Sequence, residues 1–482
     1  MTPRSSTTQP YRIGCGAGYS GDRIPPAQDL AERGQLQTLV FECLAERTIA
    51  LAQARRAADP NAGYDPLLLA RMRAVLPACV RQGTRIITNM GAANPRAAGL
   101  AVLKVARERG LQGLRVAVIT GDDVMEAVSA APQLPLMDSP LTLSDCLPQL
   151  VSANAYLGAD ALLPALQQNA DVVVTGRVAD PALFLAPLMH HFGWSASDWH
   201  RLGAGIAVGH LLECAAQVTG GYLADPGVGD VPDLARVGCP LAEVCADGTA
   251  VITKLPGTGG RVDRLSCTAQ LLYEIEDPMA YLQPDVTADF SSVALHDLGG
   301  HRVQVSGATG RPRPDALKVS LGLREGFVGE GQISYGGPGA VARGRLALQV
   351  LQERLAEQGV PLTEWRAELI GVDALQGGWR RGTAAGQVGE PPASPGLLLP
   401  FAPSDTTDHP PWPEPREVRL RLAARTATRE AAERVAQEVE ALYLNGPAAG
   451  GGVALQVREV LAVESVLLPR EAVQPRCEIL TA

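Results

Sequence analysis

Short hydrophobic runs alternate with amphipathic stretches in the first part of the chain. The hydrophobic runs predict strands at Tyr11–Cys15, Thr38–Glu42, Thr84–Asn89, Leu114–Thr120 and Asp171–Thr175. The stretches between them predict helices at Pro26–Arg33, Leu44–Arg56, Pro66–Gln82, Pro95–Arg109 and Ala155–Gln168. Strands such as RVAVIT and DVVVTG lack polar alternation, which indicates burial on both faces. Regular alternation of strand and helix predicts an α/β fold, with a parallel sheet and flanking helices.

A proline-rich run near the C-terminal end divides the chain. It contains EPPASPGLLLP and DHPPWPEP, which cannot continue a helix and are typical of an extended linker. After it, the pattern predicts an alternating strand, an amphipathic helix and one or two further strands, at Arg416–Leu422, Thr428–Tyr443 and Ala454–Leu467. We therefore predict a core domain, a linker and a small α+β (β-α-β-β) domain, over residues 11–388, 389–415 and 416–482.

Composition and charge narrow the class of protein. The 482 residues include 42 basic and 51 acidic side chains, a net charge of −9, so nucleic acid and anionic membranes are poor candidates for partners. No apolar run is long enough to span a bilayer, and the polar N-terminus lacks the apolar segment of a signal peptide. The nine cysteines include no C-x-x-C pair, which argues against a zinc knuckle or a disulfide framework. We expect a cytoplasmic protein.

Polar side chains follow the predicted strands where each strand ends. In an open parallel sheet, ligands bind at the carboxyl ends of the strands. We expect one shared edge to carry Gly14, Glu42, Asn89, Asp122, Arg177 and Asp180. This edge is the candidate active site; the alternative is an ordinary solvated loop face.

A glycine-rich turn follows the first predicted strand. Residues 16–21 match G-x-G-x-x-G, and Glu42 lies near the offset of a ribose-binding acid in dinucleotide folds. Pro25 and Pro26, however, fall where the phosphate-binding helix should already be running, so we predict that tight dinucleotide docking is prevented. A different anion or a purely structural turn are the alternatives. The candidate anion-binding residues here are Gly16, Gly18, Ser20, Gly21 and Arg23.

Two further groups could carry chemistry. His210 and Glu213 are three residues apart on one helix face, where they suit a divalent metal or an acid–base pair, or form an ordinary packing contact. Lys254, one of three lysines in the chain, precedes a glycine-rich loop containing Thr258 and Gly259. That arrangement suits an anion anchor; the alternative is a lysine that ends a strand before a turn.

Several long segments together resemble the acyclic terpene utilisation (AtuA-like) family. They are IGCGAGYSGDR at 13–23, VFECLAERTIALAQ at 40–53, TGRVADPAL at 175–183, FGW and HLLECAAQVTGG within 192–221, VITKLPGTGG at 251–260, SYGGPGA at 334–340 and LYLNGPAAGGG at 442–452. The resemblance covers nearly the whole chain and departs only in detail, at Leu444 and Ala449. It implies catabolism of citronellol- and geraniol-type acids through CoA thioesters, and it carries no established catalytic residue to this sequence.

These observations lead to a cytoplasmic catabolic enzyme acting on a branched acyl-CoA or carboxylate. Lyase or hydratase chemistry fits best, because it needs an acid or base and an anion clamp but no redox cofactor. The acid–base candidates are Glu42, Asp122, His210 and Glu213, and we expect a homo-oligomer. The alternatives are a non-catalytic acyl-CoA-binding or scaffold protein of a catabolic operon and, less favoured, an NAD-dependent oxidoreductase.

Overall fold

A large mixed sheet and a smaller antiparallel sheet organise the computed structural model. It describes residues 9–372, 374–375, 380–383 and 414–481, so the predicted linker 389–415 lies outside the described residues except for 414–415. The chain divides into two compact units, the first formed by Met1–Leu323 with Val463–Ala482 and the second by Arg324–Ala462.

The strands in chain order are β1 Tyr11–Ala17, β2 Thr38–Phe41, β3 Arg85–Thr88, β4 Arg115–Thr120, β5 Leu150–Ala155, β6 Val172–Thr175, β7 Pro240–Val244, β8 Ala250–Lys254, β9 Tyr281–Leu282, β10 Thr287–Asp289, β11 Ala294–Asp297, β12 Val303–Ser306, β13 Thr309–Arg311, β14 Ala316–Gly336, β15 Glu364–Ile370, β16 Arg380–Thr383, β17 Glu417–Thr426, β18 Gly450–Pro469 and β19 Arg476–Thr481. The five strands predicted in the first part of the chain are therefore present as β1, β2, β3, β4 and β6.

The helices are α1 Pro25–Arg33, α2 Glu46–Ala58, α3 Leu68–Gln82, α4 Pro95–Glu108, α5 Met125–Ser129, α6 Leu143–Cys146, α7 Leu163–Gln167, α8 Ala182–Phe192, α9 Trp199–Glu213, α10 Arg264–Leu272, α11 Ala340–Glu357 and α12 Arg429–Asn445. Four of the five helices predicted in the first part of the chain are present, as α1 to α4. Among the described residues, none of these helices combines the length and the apolar composition that a membrane span requires.

The first unit is built on a ten-stranded sheet with the order β11-β12-β8-β7-β1-β2-β3-β6-β4-β19. Its five central strands, β1-β2-β3-β6-β4, are parallel, as the strand–helix alternation predicts. On both sides the neighbours are antiparallel, with β7 pairing β1 and β19 pairing β4. The fold is therefore α/β with a mixed sheet. The short connection between β7 and β8 joins these adjacent strands as an antiparallel hairpin.

Both faces of the parallel strands are buried. In β6, Val173 belongs to one hydrophobic cluster while Val172 and Val174 belong to the cluster on the other face. Helices α1, α3 and α4 contribute to the second cluster, and helices α8 and α9 contribute to the first. Alternate residues of a strand point to opposite faces, so a strand covered on both sides has to be apolar throughout.

The segment between β4 and β6 differs from its prediction. The helix predicted at Ala155–Gln168 is wrong, because Leu150–Ala155 forms β5 and only Leu163–Gln167 forms an α-helix. Strand β5 pairs antiparallel with β14, with Ala155 opposite Val319. Partners so distant in sequence leave no local signal, and Pro164 sits where the short helix begins.

The second unit has its own antiparallel sheet and two helices. Strand β17 pairs with both β14 and β15, and Leu420 lies opposite Ile333 and Leu369. Helices α11 and α12 contribute Leu351, Val435 and Val439 to one buried cluster with these strands. The predicted C-terminal helix is thus present as α12, with its predicted apolar face buried.

The two units divide the chain differently from the predicted boundaries at 388 and 416. Strand β17 opens the predicted C-terminal domain, yet it is hydrogen-bonded between β14 and β15 of the preceding sequence. Strand β19, from the same predicted domain, joins the sheet of the first unit next to β4. Hydrogen bonding between distant strands, which the sequence pattern does not reveal, sets this grouping.

Candidate active site

Four polar side chains lie where the parallel strands end. Glu42 follows β2, Asn89 follows β3, Asp122 follows β4 and Arg177 follows β6, so the structure places them at one edge of the sheet, as the strand pattern predicts. The prediction for Gly14 is wrong: β1 extends to Ala17, and Gly14 lies within the strand opposite Leu39.

Glu42 and Asn89 form a buried hydrogen-bonded pair. The Asn89 side-chain nitrogen donates to Glu42 Oε1 over 2.9 Å, and the Leu44 backbone N–H donates to the same oxygen over 2.8 Å. Burial raises the pKa of Glu42 to about 7, against the lowering effect of Arg177 and of these hydrogen bonds. This carboxyl therefore changes its protonation state near neutral pH.

Asp122 fixes the loop that follows β6. Its Oδ2 accepts the Arg177 backbone N–H over 2.8 Å and the Asn154 side-chain N–H over 2.9 Å. Burial raises the pKa of Asp122 to about 6, although both hydrogen bonds oppose the rise. A Cβ at Gly176 would lie 2.5 Å from the Asp122 carboxylate, so this loop passes close to Asp122 only because residue 176 is glycine.

Arg177 is the charged centre of this edge, with 2% of its surface exposed. Its guanidinium donates to the Leu44 carbonyl, and Nη2 lies 3.0 Å from Asp180 Oδ1. The same group lies 4.0 Å above the centre of the Tyr156 ring, where a cation is attracted by the aromatic face. These contacts hold both the cation and Asp180 in defined positions.

A cavity of about 700 Å³ in the first unit opens beside this pair. Its polar lining includes Glu46, Arg47, Tyr156, Arg177, Asp180, Glu274, Tyr281, Gln283 and Lys318. Its apolar lining includes Met137, Leu282, Pro284, Pro314, Leu317, Val463 and Leu467. The cavity thus combines an apolar wall with a few converging charged groups, which is typical of a site for a small amphipathic ligand.

Glu46, Tyr156 and Lys318 form a second charged group on the cavity wall. Lys318 Nζ lies 2.7 Å from Glu46 Oε1, and the Tyr156 hydroxyl donates to the same oxygen over 2.7 Å. Burial alone would raise the pKa of Glu46, but the bonds from Lys318 and Tyr156 lower it overall. Glu46 is therefore anionic, and the Lys318 ammonium remains beside the cavity.

Asp180 is the acidic side chain that both contacts Arg177 and lines the cavity. Burial raises the pKa of Asp180 well above its ordinary value; Arg177 opposes the rise, and the charges of Glu42, Glu213 and Glu274 add to it. Its side chain is still 32% exposed, so it can exchange a proton with a bound molecule. A carboxyl with a raised pKa beside a fixed cation suits general acid–base chemistry.

His210 and Glu213 lie on the last turn of α9, away from the described lining of the cavity. His210 Nδ1 and Glu213 Oε1 are 2.8 Å apart, and both side chains are buried. Within the described part of the chain, no group of three or more His, Cys, Asp or Glu side chains is arranged to hold a metal ion. A metal at this pair therefore stays a prediction from the sequence.

Side chains of the protein itself already bind the backbone of the glycine turn after β1. The Gly18 N–H donates to Asp22 Oδ2 over 2.7 Å, and Arg71 Nη2 donates to the carbonyls of Ser20 and Asp22 over 2.6 and 3.1 Å. A Cβ at Gly18 would lie 2.4 Å from the carbonyl carbon of Cys214. Helix α1 begins only at Pro25, after the turn, as the proline positions predict.

Gly16 is packed in the same way, whereas Gly21 and Arg23 are exposed and contact other parts of the protein. A Cβ at Gly16 would lie 2.6 Å from the Phe41 ring, and one at Gly21 would lie 2.5 Å from the Tyr19 ring. Arg23 donates to the carbonyl of Ala235 over 2.7 Å. These contacts favour the structural alternative for the turn over an anion site.

The polar groups of the loop after β8 also bind one another. Lys254 Nζ donates to the Thr258 carbonyl over 2.7 Å, and the Thr258 hydroxyl donates to the Leu255 carbonyl over 2.8 Å. A Cβ at Gly259 would lie 2.0 Å from the Asp233 carbonyl oxygen. Burial lowers the pKa of Lys254, and none of Lys254, Thr258 and Gly259 belongs to the described lining of the 700 Å³ cavity.

Tyr156, Tyr281 and Lys318 are site residues that the sequence reasoning missed. Tyr156 follows β5, Tyr281 begins β9 and Lys318 lies in β14. These strands reach the cavity through pairings between distant parts of the chain, so no local motif marks them. The scarcity of lysine is the one signal in the sequence that could mark Lys318, and the prediction for an anion anchor rested on Lys254 instead.

Comparison with protein families gives one extensive match. Residues 11–479 match the model of the family described as acyclic terpene utilisation family protein AtuA. No curated protein and no solved structure matches the chain. A family match of this extent covers both units and nearly every segment named above.

Proposed function

This chain belongs to the acyclic terpene utilisation family AtuA, and from that membership we propose that it is a catabolic enzyme acting on a branched acyl group, as a carboxylate or a CoA thioester. The observation that carries the proposal is the Arg177–Asp180 pair on the wall of a cavity of about 700 Å³. A cavity of this volume accommodates the acyl part of such a molecule.

The apolar lining supports a hydrocarbon chain as the ligand. Met137, Leu317 and Leu467 lie in the same lining as the charged groups. Burying a hydrocarbon chain here would contribute about 0.8 kcal/mol per CH₂ group. An acidic or thioester head group would then meet Arg177 or Lys318, whose positive charges attract its oxygens.

Lyase or hydratase chemistry fits the charged groups best. In this proposal Asp180 takes the proton from the substrate carbon next to the carbonyl and gives it to the hydroxyl of the following carbon, whose C–O bond breaks so that water leaves. The reverse steps add water to the double bond. Arg177 and Lys318 stabilise the negative charge that develops on the carbonyl oxygen when that carbon loses a proton or when water adds to a conjugated double bond. The glycine turn supports this choice over a dehydrogenase, because the Gly18 N–H already donates to Asp22 and Gly18 packs against Cys214.

Incubation of the protein with a panel of branched acyl-CoA thioesters and free acids, followed by mass spectrometry, tests the proposal. We expect a mass change of plus or minus one water for at least one branched compound. The Asp180→Asn variant should lower kcat about 100-fold or more, because a general acid–base group contributes that much, while ligand binding persists.

Asp29→Asn is the matched control, because Asp29 lies on α1 with 45% of its side chain exposed. Its turnover should equal that of the wild type. Saturable binding without conversion of any compound, in both the wild type and Asp180→Asn, would support the acyl-CoA-binding or scaffold alternative instead.

A further inference from the structure

A buried His–Glu pair lies behind the wall of the cavity. His210 and Glu213 are 1% and 8% exposed, and His210 Nδ1 lies 2.8 Å from Glu213 Oε1. The second carboxylate oxygen of Glu213 is buried without a hydrogen-bond partner among the described residues. The reaction proposed above uses neither side chain, although a buried ionisable pair is costly unless it is compensated.

Aromatic contacts connect this pair to the cavity. The His210 ring lies 5.4 Å from the Tyr281 ring and 5.9 Å from the Phe290 ring, and the last two rings are 5.6 Å apart. Tyr281 lines the cavity directly. It belongs to β9, which is only two residues long, so contacts of its ring help to fix its orientation.

The charges around the pair favour an ionised state with no net charge. Burial alone would lower the pKa of His210, but the hydrogen bond and the charge of Glu213 raise it, with a smaller contribution from Glu274. The last turn of a helix also favours a cation. The imidazolium of His210 then balances the carboxylate of Glu213 inside the protein.

Glu213 also acts on the acid in the cavity. The charged groups that influence Asp180 are the cation of Arg177 and the carboxylates of Glu42, Glu213 and Glu274. Burial raises the pKa of Tyr281, and the charge of Glu213 adds to that rise. An unbalanced charge on Glu213 would therefore shift the pKa values of two side chains of the cavity lining, Asp180 and Tyr281.

We propose that His210 and Glu213 are positioning residues for the reaction, because the buried pair holds the Tyr281 ring in the cavity wall and keeps the charge of Glu213 balanced behind Asp180. The inference rests on the proposed function in taking Asp180 as the group that carries the proton. It assigns the pair a role that involves no metal and no direct contact with substrate.

Three variants test the charge balance: His210→Gln, Glu213→Gln and the double variant. His210→Gln leaves an unbalanced anion, so the pKa of Asp180 should rise by about one pH unit. Glu213→Gln removes the anion that keeps buried His210 protonated, so His210 becomes neutral and the pKa of Asp180 should stay close to the wild-type value. The double variant carries no charge at either position, and the wild-type ion pair carries no net charge. The pKa of Asp180 in the double variant should therefore lie close to the wild-type value.

Carboxyl-carbon NMR on aspartate-labelled protein measures these values, and Asp180→Asn identifies the resonance. This readout needs no substrate, so it decides the inference even if no acyl compound is turned over. A folded His210→Gln variant without this rise, or a rise of the same size in the double variant, would overturn the proposal. If His210→Gln fails to fold, His210→Asn leaves the same Glu213 carboxylate unbalanced and should raise the pKa of Asp180 in the same way.

Discussion

Two loops at the same edge of the sheet, the turn after β1 and the loop after β6, can be compared because a buried arginine binds each of them. The arginine has a different role in each loop. Arg71, fully buried, donates to the carbonyls of Ser20 and Asp22 and thereby closes the glycine turn after β1. Arg177, 2% exposed, pairs with Asp180 and lines the cavity after β6. The loop with the better-known sequence motif is the one whose backbone is already occupied.

The difference shows what a glycine-rich motif does and does not reveal. In the turn after β1, the absence of side chains lets backbone segments pack closely, as at Gly18 against Cys214. In the loop after β6, Gly176 leaves room for the neighbouring Asp122 carboxylate, which accepts a hydrogen bond from the Arg177 backbone N–H. Glycine marks a close approach in both loops, and the side chains around it decide whether a ligand has room.

The largest effect should come from Arg71. Arg71→Leu should lower the free energy of unfolding by about 3 kcal/mol, because partly buried carbonyls lose a charged donor and the fully buried Arg71 side chain loses its packing. The matched control is Arg73→Leu on the same helix, whose pairing with Glu108 is solvent-exposed and should be worth less than about 1 kcal/mol. Chemical denaturation of both variants measures the difference; equal losses would mean that Arg71 does not hold the turn closed.

Glu42 should give a smaller, pH-dependent effect. Its pKa of about 7 in the folded protein exceeds the ordinary 4.5, so the folded state binds the proton more tightly. Its contribution to stability is therefore complete below about pH 4.5 and is lost as the pH rises to about 7. Glu42→Gln imitates the protonated form and should stabilise the protein by about 2 kcal/mol at pH 8, with little change at pH 4.5.

Thermal unfolding of the wild type and Glu42→Gln across this pH range measures that effect. Asn89→Asp provides an internal comparison, since it replaces the donor to Glu42 Oε1 by a second carboxyl and should steepen the loss of stability with pH. A Glu42→Gln variant that is less stable than the wild type at pH 8 would contradict this, because it would show that the folded protein favours the ionised carboxylate of Glu42.

The smallest effect on stability should come from Lys318, which lies on the wall of the cavity. Its ion pair with Glu46 is partly exposed, at 41% and 34% for the two side chains, so Lys318→Met should change stability by less than about 1 kcal/mol. The affinity for a branched carboxylate should nevertheless fall about tenfold, because a charge-assisted contact is lost. Calorimetric titration measures this, with Lys104→Met on α4 as the control.

The sequence predicted the parallel strands and the edge where Glu42, Asn89, Asp122 and Arg177 meet, because apolar runs and their polar ends are local features. It did not predict β5, nor that Tyr281 and Lys318 line the cavity. Those residues reach the site through pairings such as Ala155 with Val319, which join distant segments. Local periodicity carries no information on such pairings, so the sequence pattern does not predict the apolar wall of the cavity either.

The antiparallel strand β19 has a consequence for how the chain matures during translation. Residues 476–481 complete the large sheet by pairing with residues 115–120, and Leu480 packs near Gly99 of α4. Since a ribosome delivers these residues after the rest of the first unit, the nascent protein must wait with the edge of β4 uncovered. Such an open edge is where strands of separate molecules join, so translation pauses late in the message should increase aggregation, and a chaperone that shields this edge should reduce it.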